Sequence, residues 1–205
     1  MDVSACNRFL GEGPSSQMPK VLVPIADSSE EIETACITDV LVRAGIEVTV
    51  ASVMPEGRLQ VKMARGLNVV ADVPIADCAG QDFDAIACPG GMPGAQHLHD
   101  SAVLTELLKS QASKGKIVAA VCASPAVVLA PHGLLPSEGE VTSFPAPKFK
   151  EIIGSRWSET RAVVNGNVIT SQGPGTSLEF ALKIVEALCG AEAAAKVEEG
   201  LLLKK

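Results

Sequence analysis

The sequence predicts an α/β fold: a three-layer sandwich with a mostly parallel central sheet and helices on both faces. Three observations lead there. Short apolar runs of strand length alternate with stretches of helical periodicity along most of the chain. The most apolar strand, Ile117–Val121, runs through Cys122 and Ala123 straight into a helix start. At 205 residues, 47% hydrophobic and 20% charged, the chain has the composition of an ordinary globular protein large enough for one core.

Residues 1 to 19 mix Gly, Pro, Ser and Gln with Asp2, Arg8 and Glu12, too acidic and too weakly amphipathic for a transit peptide. They read as a flexible tail before a single domain spanning 20 to 205. Val21–Ile25 is the first strand, although Pro24 argues against a central one. Ser28 with Glu31 forms a capping box, and Ile32, Ala35, Cys36, Val40 and Val42 trace the apolar face of a helix closed by Gly45. Strands follow at Val48–Ala51, within Leu67–Val73 and at Ala85–Cys88, the last leading into the turn-rich run Pro89-Gly90-Gly91-Met92-Pro93-Gly94. Ser101–Ser113 reads as a helix, and Ser124–Ala130 as a short one with Pro125 in its permitted first turn. Asn165-Gly166 marks a hairpin, and Thr176 with Glu179 caps a last helix ending near Cys189-Gly190.

Composition excludes several functions. Seventeen basic against twenty-four acidic residues leave −7, with no Lys/Arg run to release counterions from nucleic acid. Aromatic residues are 3%, so base-stacking platforms and aromatic cages have little support. The six cysteines contain no CxxC and the three histidines no HExxH, which argues against metal. No secretory apolar segment precedes the chain, and the run from Ile117 to Pro131 is too short and broken to span a membrane. A reducing compartment, the cytoplasm, is the expectation, with an organellar address in the first 19 residues left open.

In a parallel sheet the ligand crevice lies beyond the carboxyl ends of the strands. The loop after Ile25, the glycines after Cys88, and Cys122 therefore converge. Cys122 stands at a strand-to-helix turn, where backbone N–H groups and the helix dipole favour a thiolate. The structural alternative is a small buried apolar residue. Glu33, in the first turn of the first helix, is placed for proton transfer, or is simply an acid that the dipole favours. Glu30 and Glu31 read as its solvated neighbours. Gly90 and Gly91 let the backbone approach a ligand and offer N–H groups to an oxyanion. Gly173-Pro174-Gly175-Thr176-Ser177 lacks the lysine of a phosphate-binding loop. His97, His99 and His132 read as structural, and Ala123 stands where a cysteine protease of this architecture would place a histidine.

Taken together, Glu30-Glu31-Ile32-Glu33-Thr34, Arg43-Ala44-Gly45-Ile46, Pro89-Gly90-Gly91 through Gly94-Ala95-Gln96, Val121-Cys122-Ala123, and Gly173 to Ser177 with Glu179-Phe180-Ala181 resemble the DJ-1/PfpI superfamily. The resemblance runs from about Lys20 to Lys205. It implies a flavodoxin-like sandwich, a homodimer packed partly through the first helix, and a site without cofactor. By motif, Cys122 resembles the family's reactive cysteine, Glu33 its partner acid, Gly91 and Ala123 its oxyanion donors, and Arg43 and Arg65 arginines near the pocket. Two positions depart: Phe144 stands where the family has a histidine, and Gln172 where it has an arginine. The function implied is a glutathione-independent glyoxalase acting on small dicarbonyls, with possible removal of early glycation adducts from protein. The alternative is a redox sensor or redox-regulated chaperone working through oxidation of Cys122.

Overall fold

A computed structural model describes residues 18 to 203. The tail expected over residues 1 to 19 falls, apart from Met18 and Pro19, outside them. Seven strands form one sheet in the order β5-β2-β1-β6-β7-β9-β8, with β1 Lys20–Ile25, β2 Glu47–Ser52, β5 Val73–Pro74, β6 Ala85–Cys88, β7 Ile117–Val121, β8 Ala162–Asn165 and β9 Val168–Ser171. All neighbours are parallel except β8 and β9. A separate hairpin joins β3 Gln60–Lys62 to β4 Asn68–Val70. The fold is a flavodoxin-like α/β sandwich.

The pleat of β1 divides the core. Val21, Val23 and Ile25 pack with α1 Glu31–Arg43, α5 Ser177–Cys189 and α6 Ala191–Gly200, while Leu22 faces the opposite layer. That layer holds α2 Gly94–Asp100, α3 Ala102–Ser113 and α4 Pro147–Ile153. Both faces are covered, so the central strands carry apolar residues at successive positions instead of alternating. Pro24 is tolerated in β1 because pairing with β6 involves only Val21 and Leu22.

Several expectations are corrected. The N-cap of α1 is Glu30, whose Oε2 accepts the Glu33 N–H at 2.8 Å, and Ser28 instead turns the chain at φ 65°. The buried face of α1 is Glu33, Thr34, Ile37, Val40 and Leu41, leaving Ile32 and Val42 about half exposed. Hydrophobicity alone misplaced that face, because it carries an acid drawn inward by a backbone partner. Glu30 is likewise buried. The hairpin loop is Gly166-Asn167, one residue later than expected, since Asn165 still pairs with Val168. Thr176 does not cap α5; its hydroxyl accepts the Gly173 N–H at 3.0 Å and braces the preceding turn. The segment after Cys122 is one π-type turn, Pro125–Leu129. Of the described cysteines, Cys36, Cys78, Cys88 and Cys122 are free.

Candidate active site

Three loops at the carboxyl ends of β1, β6 and β7 meet, as the topology requires. The loop after β1 is pinned on both sides: Glu30 donates its N–H to Gly90 O at 3.1 Å, and Ser29 O accepts the Ala64 N–H at 2.9 Å. This delivers the first turn of α1, with Glu33 fully buried, against the loop after β6. Gly90 returns its N–H to Glu33 Oε2 at 2.7 Å. Gly91 sits at φ 86°, followed by a cis Met92–Pro93 bond. A Cβ on Gly91 would lie 2.2 Å from Ser28 O, so only glycine permits the close approach of the two loops.

Cys122 adopts φ 63°, a conformation that few non-glycine residues take and that turns the chain sharply from β7 into the π turn. Its backbone is held at both ends, the N–H donating to Ser171 O at 3.0 Å and the carbonyl accepting the Phe144 N–H at 2.7 Å. Ser124, also buried, donates its hydroxyl to Pro89 O at 2.5 Å and so ties this elbow to the glycine loop. The side chain of Cys122 faces Glu33, and the N–H groups of Gly91 and Ala123 are directed at its sulfur.

The two side chains perturb each other. Burial pushes the Glu33 carboxyl up to about 7, against the lowering influence of the Gly90 N–H and the Cys122 thiol. The Cys122 thiol is raised to about 12, first by burial and then by the neighbouring carboxylate. Gly91 and Ala123 pull the other way and do not prevail. Burial and the neighbouring carboxylate therefore work against the thiolate that the turn alone favours, and the two groups titrate as a pair. Glu33 Oε1 is buried without a hydrogen-bond partner among the described residues, and a methyl placed on Gly173 would lie 3.9 Å from it.

The cavity above Cys122 measures about 350 Å³ and is lined by Glu30, Ala64, Arg65, Gly91, Met92, Ala123, Phe144, Ala146, Lys148, Phe149 and Pro174. Arg65 reaches it, its N–H held by Glu31 Oε1 at 2.7 Å. Arg43 does not: it lies at the far end of α1, paired with Asp39 at 2.5 Å, because a helix of 13 residues carries its last residue well away from its first. Gln172 donates to Glu159 O at 2.9 Å and does not line the cavity. Glu30, Met92, Lys148 and Ser124 were not legible as site residues. Only Met92, inside the glycine run, carried a positional hint. His99 and His132 stack at 4.6 Å outside the cavity, linking α2 to the segment after the π turn. A second groove of about 460 Å³ runs along α3 beside Ala79–Gln81, and no cysteine or histidine lines it. Among the described residues no group of three or more His, Cys, Asp or Glu is placed to hold a metal ion. No helix there is long and apolar enough to cross a membrane.

This geometry has counterparts. The family model described as "DJ-1/PfpI family" matches residues 19–187. The chain belongs to the DJ-1/PfpI family. It is 44% identical over 185 residues to Protein DJ-1 homolog B of Arabidopsis thaliana, covering 90% of this chain but 41% of that longer protein. The Glutathione-independent glyoxalase DJR-1.2 of Caenorhabditis elegans is 41% identical over 186 residues, covering 90% of this chain and 96% of that one. Oxidized Toxoplasma gondii DJ-1 superposes with a TM-score of 0.85 at 47% identity, covering 90% of this chain and 98% of that one. Within this DJ-1/PfpI member, strand ends and pinned loops, more than any cofactor motif, define the candidate site.

Proposed function

We propose that this chain is a glutathione-independent glyoxalase that converts methylglyoxal to lactate and glyoxal to glycolate. The observation that carries the reading is the Cys122–Glu33 pair, a fully buried acid beside a partly exposed thiol at a strained elbow, with the Gly91 and Ala123 N–H groups directed at the sulfur. The name of the similar Caenorhabditis elegans protein supports it.

As Sγ bonds to the aldehyde carbon, the Glu33 carboxylate takes the thiol proton and passes it to the new oxyanion, held meanwhile by the Gly91 and Ala123 N–H groups. Glu33 then removes the proton from C1 to give an enediol and returns it at C2, while the C1 hydroxyl proton moves to the C2 oxygen. The Cys122 thioester of lactate results. Water adds to its carbonyl and releases lactate and the thiol, so the sum is methylglyoxal plus water to lactate. A carboxyl raised to about 7 suits a group that gives and takes a proton near neutral pH. Early glycation adducts on protein, which present a similar carbonyl, are a further substrate class under this reading.

The test is lactate formation from methylglyoxal by reduced, chelator-treated protein without glutathione. Cys122→Ala should abolish turnover, and Glu33→Gln should lower it by roughly 10²- to 10⁴-fold. No turnover by the unsubstituted chain would overturn the reading.

A second reading, a redox sensor or chaperone, draws on the unpartnered Glu33 Oε1 beside Cys122. Two equivalents of peroxide would take the thiol to sulfinate, and a protonated Glu33 would donate a hydrogen bond to it. Suppression of client aggregation should then arise only after peroxide and be lost in Cys122→Ala; suppression by the reduced protein alone would exclude it.

A further inference from the structure

The cavity at Cys122 has an apolar wall that proton transfer between Cys122 and Glu33 does not need. Met92 and Phe144 line it while remaining 45% and 43% exposed, and Ala64, Ala146 and the buried Phe149 continue the same surface. Among the described residues no histidine lines it. Phe144 is placed by the fold: its N–H donates to Cys122 O at 2.7 Å, its carbonyl accepts the Ala146 N–H at 2.8 Å, and its ring lies 3.5 Å from a methyl placed on Gly173. The backbone thus fixes the position from which Phe144 presents its ring beside the nucleophile.

Size points the same way. At about 350 Å³ the cavity lies within the range that holds drug-sized molecules, far more than a three-carbon dicarbonyl fills. Apolar side chains left exposed in a concave site gain most from a ligand that removes them from water. An aryl group set against Phe144 also gains offset or edge-to-face contact.

We infer that the site takes α-oxoaldehydes whose ketone carbon carries an aryl or similarly bulky apolar group, with Phe144 and Met92 as the specificity-determining residues. The inference rests on the glyoxalase reading for its reaction, but its wall can be probed without turnover. Iodoacetamide and N-benzyl-2-iodoacetamide share a warhead and differ in the aryl group. Their alkylation rates at Cys122 are followed by peptide mass mapping on the full reduced chain, and their ratio is divided by the same ratio for N-acetylcysteine. The normalised preference for the benzyl reagent should be on the order of tenfold. It should fall towards one in Phe144→Ala, and also in Met92→Ala, which serves if the first variant is misfolded. A ratio near one in the unsubstituted protein, or one that survives both substitutions, overturns the inference. Where dicarbonyls turn over, kcat/KM for phenylglyoxal should exceed that for methylglyoxal, and the reverse order also overturns it. A benzyl preference with neither dicarbonyl turned over leaves the wall standing and removes the glyoxalase reading instead.

Discussion

Glu33 Oε2 accepts the N–H of Gly90 at 2.7 Å across 57 positions of sequence, inside a fully buried contact. This bond fixes the carboxyl beside Cys122 and joins the first helix to the glycine loop. It also leaves an ionisable group where its charged form is poorly solvated, which makes stability depend on pH.

The folded carboxyl keeps its proton to about 7, whereas the unfolded chain loses it near 4.5. Between those values the native state binds more protons than the unfolded state, so its stability falls as pH rises. Glu33→Gln removes that dependence. Its stability relative to the parent should therefore improve by about 3 kcal/mol between pH 4 and pH 8, read from urea unfolding at both. A constant difference across that range would refute the raised carboxyl.

Turnover should show the opposite trend. If the singly protonated Cys122–Glu33 pair is the active form, kcat/KM for a dicarbonyl rises with pH and levels off above about 7. That limb should vanish from the residual activity of Glu33→Gln. A profile flat from pH 5 to 8 in the parent would exclude Glu33 as the base.

Gly91 and Gly166 both have positive φ, at 86° and 59°, yet only Gly91 is hemmed in by backbone, with Glu30 N 2.8 Å from a methyl placed there. Gly91→Ala is expected to destabilise by about 2 to 4 kcal/mol, combining strain with overpacking. Gly166→Asn, in open space and in a conformation asparagine tolerates, should stay within about 0.5 kcal/mol. Thermal denaturation of the two variants decides this, and equal losses would show that space at Gly91 is not what matters.

Ser124→Ala removes the donor that holds Pro89 O in a buried setting. A loss of about 1 to 3 kcal/mol is expected, since the carbonyl is left unpartnered. Misalignment of Gly91 should also lower turnover more than KM changes. Unfolding curves and steady-state kinetics together separate the two effects.

Along α1, Ile32, Ala35 and Val42 lie exposed, with Cys36 partly so, forming an outward stripe distinct from the buried face. If the chain pairs with a second copy there, Ile32→Glu should shift its mass in light scattering from dimer towards monomer. A parent that is monomeric at micromolar concentration would end that proposal.

The strands, the elbow at Cys122 and the site pair were legible because each has a local signature: apolar runs of strand length, a nucleophile at a strand-to-helix junction, an acid in a first turn. Glu30 and Ser124 were not, because capping and bracing depend on which carbonyl or N–H another loop presents. Arg43 and Arg65 show the same limit. Both matched a motif, but only Arg65 reaches the cavity, since helix length takes the other away.

By itself the sequence determined the alternation of strand and helix, the family, and the presence of a cysteine after one strand and an acid in the first helical turn after another. These are properties of local pattern and chain order. Tertiary structure alone decided the protonation of the Cys122–Glu33 pair, the buried face of α1 and the apolar wall of Phe144 and Met92. Desolvation, hydrogen-bond partners and cavity shape arise only when segments far apart in the chain exclude water from one another.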